Sequence, residues 1–339
     1  MRPNPVPAPC EDCSGISRRN FLKTTIAGTA VAASGALPVL AVDKPALANT
    51  TGQPETLVAT LFKSLSEKQR SEIAFSFDHP LRSKVDNNWN ITKPTLGGDF
   101  YTKDQQAMVR EIFMKLHSEE YAERVMQQVV HDSGKEGFGA SSIALFGEPG
   151  TGKFEFVLTG RHCTRRCDGD SVAGAAFGGP IFYGHAARGF YEKPDHPENV
   201  YWYQAVRANE VFKALDGKQR KLALLGDSRE EQGTDTVRLT GRKTGLPGIP
   251  LSELSSDQKE LVRKVMADVL APFRRRDAEE ALQLVEKNGF DHLHMSFYQN
   301  QDVGKDGVWD VWQIEGPAML WYFRGEPHVH TWVHIRETA

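Results

Sequence analysis

Three histidines lie within seven residues in the segment HVHTWVH, residues 328–334. Alternate side chains of a β-strand point to the same face, so His328, His330 and His334 would share a face with Trp332. Residues two apart are about 6.6 Å apart along the strand, so two imidazoles can reach one ion. This spacing is typical of sites for zinc, copper or non-haem iron. We therefore take His328 and His330 as candidate metal ligands; the alternative is a histidine-rich face with a structural role.

A third ligand has to come from another part of the chain. His162 ends the segment KFEFVLTGRH, residues 153–162, and its even-numbered position places it with the apolar side chains of that strand. We predict that it points inward and meets His328 and His330, whereas a hydrogen-bonded core histidine is the competing interpretation. On the same alternation, Cys163 is expected on the opposite face.

The sequence indicates the ligands more clearly than it indicates the metal or the reaction. A set of imidazole ligands suits copper or zinc, and an ion of this kind can activate a water molecule. A second pair, His292 and His294, shares parity with Ser296 and is expected to face solvent. The chain contains neither a G-x-S-x-G elbow nor an H-E-x-x-H helix, so no catalytic residue and no substrate is assigned.

The segment GEPGTGK, residues 147–153, matches the phosphate-loop pattern G-x-x-x-x-G-K. A phosphate loop has to open a helix, because the helix N-terminus and the loop amides bind the phosphates. Residues 153–159 instead alternate between apolar and polar, which predicts a strand, and Phe154 stands where Ser or Thr would bind magnesium. We therefore predict a hairpin turn and expect no nucleotide cofactor.

Two parts of the chain resemble each other. LFKSLSEKQR (61–70) and VFKALDGKQR (211–220) are identical at six of ten positions, and TKDQQAMVREIF (102–113) resembles SSDQKELVRKVM (255–266). Each of the four segments has a capping residue followed three positions later by Gln, which predicts the start of a helix. Further helices are expected around residues 120–130 and 277–288, and strands follow in both parts.

The predicted fold class is α+β, in which each half has helices followed by antiparallel strands packed into one body. Residues 49–339 are expected to form a single domain of two pseudo-repeats, about 55–180 and 204–339. An ordered loop rich in aromatic residues and proline, residues 177–205, joins them. If the histidines are structural, residues 182–203 of this loop become the recognition surface of a non-enzymatic periplasmic binding module, for a carbohydrate or a peptide.

The first 48 residues have the features of an export signal. Arg18 and Arg19 lie in SRRNFLK, and a weakly apolar stretch rich in Ala, Gly and Thr follows, which resembles a twin-arginine signal. Ala46 and Ala48 provide the small residues for cleavage. We expect export to the periplasm by the twin-arginine machinery, without a stable transmembrane anchor. The net charge of −3 gives no electrostatic basis for a nucleic-acid partner.

Two cysteines, Cys163 and Cys167, lie outside this signal. In a straight strand they would be about 13 Å apart, beyond the reach of a disulfide, so a bridge requires a turn at residues 164–166. Both alternatives stay open.

Three segments carry a resemblance to a known family: LSEKQRSEIAFSFDHP, IALFGEPGTGKFEFVLTGRH and IEGPAMLWYF…HVHTWVHI. Together they resemble the bacterial family called domain of unknown function 3500, over nearly all of residues 49–339. Its members pair a GEP hairpin with a G-H-H stretch and end in an H-I-H-T-x-W segment. His162 matches the second histidine of that stretch, Arg161 replaces the first, and His328, His330 and Thr331 match the last segment. The resemblance implies a shared fold and assigns no activity.

Overall fold

The structure, a computed structural model, describes residues 53–186, 200–300 and 308–339. The predicted signal peptide (1–48) and residues 187–199 of the predicted loop lie outside the described residues. The helices of the described ranges are α1 (Pro54–Ser64), α2 (Glu67–Ile73), α3 (Lys103–Lys115), α4 (Ala122–Asp132), α5 (Tyr203–Ala214), α6 (Gly217–Ala223), α7 (Ser256–Leu270) and α8 (Arg275–Asn288). The strands are β1 (Ala74–Phe75), β2 (Ser142–Gly147), β3 (Phe154–Gly160), β4 (Cys163–Cys167), β5 (Ile181–His185), β6 (Leu224–Leu225), β7 (Ile249–Pro250), β8 (His294–Tyr298), β9 (Val311–Gly316), β10 (Met319–Arg324) and β11 (Val329–Ile335).

Local capping determines where four of the helices begin. Ser66, Thr102, Asp216 and Ser255 each accept a hydrogen bond from the backbone N–H of the Gln three residues later, and each Gln side chain returns to the cap's own N–H. The predicted starts of α2, α3, α6 and α7 are therefore confirmed. These boxes satisfy backbone donors that would otherwise lack partners at a helix start.

The eleven strands form one sheet in the order β1-β2-β3-β4-β5-β11-β10-β9-β8-β6, with β7 pairing β8. The outermost pairs, β1 with β2 and β6 with β8, are parallel, and the others are antiparallel. The predicted α+β class is confirmed. From each edge of the sheet the strands follow one another in chain order up to the central pair: β1 to β5 from one edge, and β6, β8, β9, β10 and β11 from the other. The duplication and the division into pseudo-repeats stay predictions.

The phosphate-loop segment is a turn between two strands, as predicted. β2 ends at Gly147, the backbone N–H of Glu148 donates to the carbonyl of Lys153, and β3 begins at Phe154. Gly147 has a φ of +73°, and a Cβ there would lie 2.1 Å from the Lys153 carbonyl oxygen. The first glycine of the segment is thus required by the hairpin, and a strand follows the lysine instead of a helix.

The helices pack on one face of the sheet and bury its largest apolar cluster. Alternation along the strands divides the side chains: Phe156 and Leu158 of β3 and Val333 of β11 belong to this cluster, whereas Trp332 of β11 packs in a smaller cluster with Phe182. The fold therefore buries side chains from both faces of the central strands. None of the described helices combines the length and apolar character needed to span a membrane.

Candidate metal centre

A short turn between β3 and β4 carries the first candidate ligand. Gly160 pairs with Cys163, so Arg161 and His162 form the turn, and His162 has a φ of +54°. That conformation is uncommon for a residue other than glycine and favours a functional explanation where it occurs.

Two predictions based on the alternation of β3 are wrong because of this turn. The strand ends at Gly160, so its alternation does not extend to His162, whose direction is set by the turn. The prediction that Cys163 faces away from the large apolar cluster is also wrong, because Cys163 packs in that cluster with Phe156. The reason is that the two-residue turn places Cys163 directly opposite Gly160 and resets the parity.

The second and third candidates lie at the start of β11. His328 immediately precedes the strand, and His330, its second residue, lies opposite Arg324 of β10 and Gly184 of β5. A Cβ on Gly184 would come within 2.2 Å of the Val329 carbonyl oxygen and 3.2 Å of Cδ2 of His330. Glycine at this position therefore allows β5 to approach the strand that carries the imidazole.

The structure brings the three predicted residues together. Nε2 of His328 lies 3.1 Å from Nε2 of His162 and 3.0 Å from Nε2 of His330, and the candidate ligand atoms all lie within 4.8 Å of one another. The three side chains are at most 5% exposed. His334, on the same face of β11, is separate from them and directs Nδ1 to the carbonyl of Val237 at 2.9 Å.

Two carboxylates contact the Nδ1 atoms of two of the rings, on the side away from the Nε2 atoms. Asp132, the last residue of α4, accepts from Nδ1 of His162 at 2.7 Å, and Glu231 lies beside Nδ1 of His330. Asp132 requires a proton on Nδ1 of His162, so Nε2 of that ring keeps its lone pair. Nδ1 of His330 lies 2.6 Å from Glu231 and 2.5 Å from Nη2 of Arg324, which only donates, so Nδ1 has a hydrogen-bond partner in either tautomer of this ring. A carboxylate on the distal nitrogen is the usual way in which proteins orient a metal-binding histidine and increase its basicity.

The protons available do not satisfy both Nε2–Nε2 contacts. Nε2 of His328 takes part in both contacts, and in a neutral ring it has either one proton or one lone pair, so it can form only one of the two hydrogen bonds. A second proton would create a buried imidazolium, which is disfavoured. At least one of the two contacts therefore has no hydrogen bond, and a cation bound by the three Nε2 atoms would replace this unfavourable contact with bonds to the ion.

Burial keeps these rings neutral. Desolvation, followed by the charges of His162 and Arg324, lowers the pKa of His328 to about 2. Burial also lowers the pKa of His330 and, against the opposing hydrogen bond to Asp132, that of His162. Burial alone would raise the pKa of Asp132, but its bonds from two histidines outweigh this effect and lower it. A neutral imidazole beside an ionised carboxylate is the form that binds a metal ion.

Sequence reasoning missed the residues that support the three imidazoles. Asp132 is 30 residues from His162 in the chain, and Glu231 is 99 residues from His330. Arg324 forms an ion pair with Glu231 at 3.0 Å. His185 donates from Nδ1 to the second oxygen of Asp132 at 2.9 Å, so one carboxylate holds two imidazoles. No motif links residues so far apart, so only the fold identifies them.

The site includes neither the predicted pair His292 and His294 nor the two cysteines. His292 lies in a 3-10 helix, Phe290–His292, and only His294 belongs to β8, so the predicted pair on one strand is wrong. Cys163 and Cys167 are both free and buried in the straight strand β4. Of the two alternatives for these cysteines, the structure has the unbridged one.

Comparisons with known proteins agree with the sequence analysis. A family model described as "Protein of unknown function (DUF3500)" matches residues 48–338, and one for the twin-arginine translocation pathway signal sequence matches residues 15–37. Neither the curated proteins nor the solved structures provide a match to the chain. The predicted family and the predicted export to the periplasm by the twin-arginine pathway are thereby confirmed.

Proposed function

The chain belongs to the DUF3500 family, whose description names no activity, and we propose from the buried site itself that this exported protein binds a transition metal ion. The ligands are Nε2 of His162, His328 and His330. Copper or zinc is the expected metal, because both accept a set of imidazole nitrogens.

The convergence of the three Nε2 atoms is the observation that supports this proposal. Bonds of 2.0–2.1 Å in tetrahedral geometry separate neighbouring ligand nitrogens by about 3.3–3.4 Å. The contacts of 3.1 and 3.0 Å around His328 lie within a few tenths of an ångström of this spacing. Asp132 already holds His162 in the required tautomer, and Glu231 is placed to accept from the Nδ1–H of His330 when Nε2 of that ring binds the ion.

The number of ligands favours a catalytic ion over a structural one. Structural zinc sites use four protein ligands, whereas catalytic sites use three and keep one position for water or substrate. The described residues supply three. An ion held in this way lowers the pKa of a bound water and makes it a nucleophile near neutral pH, so we extend the proposal to a metalloenzyme and leave its substrate unassigned.

The direct test is the metal content of the exported protein after purification without chelators. We expect about one equivalent of copper or zinc by mass spectrometry, and less than a tenth of an equivalent in His328→Ala and His330→Ala. His334→Ala is the matched control, since it removes an imidazole from the same face of β11 and should leave the metal content unchanged.

Two results would reject the proposal. One is less than a tenth of an equivalent of any transition metal in the wild-type protein. The other is an unchanged metal content in both variants accompanied by a lower melting temperature, which would favour the binding module with structural histidines. Circular dichroism of each variant separates loss of the site from loss of the fold.

A further inference from the structure

A second candidate site lies at the other end of β11. There, a cavity of about 300 Å³ is bounded by residues of the loop 172–180, by residues 234–239 and by His334 and Arg336. This volume is at the lower end of the range for small-molecule sites. Trp332 is fully buried on the same face of β11 and separates the cavity from the imidazoles.

Arg336 brings a positive charge to this cavity. Its Nε is buried and donates to no acceptor among the described residues, and its guanidinium forms no ion pair within those ranges. A buried donor without a partner costs about 1–3 kcal/mol, and more when it is charged. A planar guanidinium is also the protein group best suited to a carboxylate, which it can bind through two parallel hydrogen bonds.

His334 adds a hydrogen-bond acceptor. Its Nδ1 lies 2.9 Å from the carbonyl oxygen of Val237, and a carbonyl only accepts, so Nδ1 carries the proton and Nε2 has the lone pair. Burial, with a contribution from the charge of Arg336, lowers the pKa of His334 to about 4. The ring is therefore neutral near pH 7 and its Nε2 is free to accept.

The other arginines that line the cavity already have partners. Arg82 pairs with the buried Glu155 at 2.9 Å, and Arg238 pairs with Asp235. Both arginines add positive charge near the cavity, and both already have a carboxylate partner. The proposed recognition groups are thus the Arg336 guanidinium as donor and Nε2 of His334 as acceptor, two positions apart in the chain.

We propose that this cavity binds a small organic acid that also carries a hydroxyl group. The carboxylate accepts from Arg336, and the hydroxyl donates to Nε2 of His334. Both groups are needed, because an acid without a hydroxyl leaves the histidine unsatisfied and a neutral polyol leaves the arginine unpaired. The proposal does not depend on a metal ion, and its failure would leave the proposal for the three histidines unchanged.

Three probes of similar size separate the two contributions by isothermal titration calorimetry. D-glucuronate has both groups, cyclohexanecarboxylate has only the carboxylate, and D-glucose has only hydroxyls. We expect glucuronate to bind most tightly, cyclohexanecarboxylate more weakly, and glucose without measurable heat. Arg336→Gln should weaken glucuronate binding about 10- to 150-fold, since hydrogen bonds to charged groups contribute about 1.5–3 kcal/mol.

Single substitutions separate the contribution of His334 to binding from that of Arg336. His334→Phe should weaken glucuronate binding and leave cyclohexanecarboxylate binding unchanged, while the exposed His292→Ala should leave both unchanged. If Arg336→Gln lowers the melting temperature, Arg336→Lys keeps the charge but loses the bidentate geometry and should still weaken binding. The proposal is overturned if glucuronate gives no saturable heat, or if it binds wild type and Arg336→Gln equally.

Discussion

The antiparallel pair β5–β11 has a different chemical character at each of its ends. At one end, where His185 lies opposite Val329, neutral imidazoles converge and carboxylates hold them. At the other end, where Ile181 lies opposite Val333, a cavity is bounded by guanidinium groups and a neutral histidine. The same two strands therefore carry the proposed cation site at one end and the proposed anion site at the other.

The two turns that flank these ends show how the difference arises. Arg161 and His162 connect β3 to β4, and Pro317 and Ala318 connect β9 to β10; Gly160 pairs with Cys163 just as Gly316 pairs with Met319. His162 has a positive φ and carries a buried ring, whereas Ala318 is buried and has no polar side chain. Two turns of the same length thus differ in backbone conformation and in side chain, and only the β3–β4 turn carries a candidate metal ligand.

The largest effect is expected from a substitution that forces β5 and β11 apart at the imidazole end. Gly184→Ala places a Cβ 2.2 Å from the Val329 carbonyl oxygen, and we expect it to destabilise the protein by about 3 kcal/mol and to displace His330 enough to lose the metal. Denaturant unfolding and metal content measure both effects. Gly217→Ala, where nothing lies within 4 Å of the added Cβ, is the control; equal stability of the two variants would contradict the strand packing.

A second variant tests the carboxylate support at the same end. Asp132→Asn removes the charge that holds His162 and His185, and we expect metal affinity to fall about 10- to 100-fold. Competition with a chelator of known affinity measures this change. Asp268→Asn removes a carboxylate that pairs with Arg207 instead and should not alter the affinity. An unchanged affinity in Asp132→Asn would show that Asp132 has no role in binding.

The glycines before the two turns provide a direct comparison. A Cβ on Gly316 would lie 2.3 Å from Cδ2 of Leu293, whereas one on Gly160 would lie 3.1 Å from the Ser141 hydroxyl. We expect Gly316→Ala to cost about 1–3 kcal/mol of unfolding free energy and Gly160→Ala less than about 1 kcal/mol. Urea denaturation of both variants decides the order, and the reverse order would mean that Leu293 moves aside freely.

The smallest expected effect is a pH dependence at the cavity end. The pKa of His334 in the folded protein, about 4, lies below the ordinary value of 6.5. The unfolded chain therefore binds more protons between these values, so His334 contributes stability at neutral pH that is lost as the pH falls from about 6.5 to about 4. Between pH 6.5 and pH 5.5, His334→Gln should reduce this loss by about 1 kcal/mol; parallel curves of unfolding free energy against pH for the two proteins would contradict it.

Local sequence was informative wherever neighbours in the chain determine the structure. The capping boxes at Ser66, Thr102, Asp216 and Ser255 each involve residues three positions apart, and all four form. The strand after Lys153 follows from alternation alone. The alternation of β11 likewise placed His330 and Trp332 on the face opposite Val333. Prediction was weaker where a turn intervened, as at His162 and Cys163.

By itself, the sequence determined the export signal, the family, the α+β class and the identity of three candidate imidazoles. Each of these depends on residue types at fixed short spacings, which local physics interprets directly. The tertiary structure alone decided that Nε2 of His162 reaches His328 from 166 residues away, and that Asp132 and Glu231 hold the rings. It also decided that Arg336 borders a cavity. The reason is physical: which side chains meet across a sheet depends on strand order and register, and these are set by burial of the whole core rather than by any one segment.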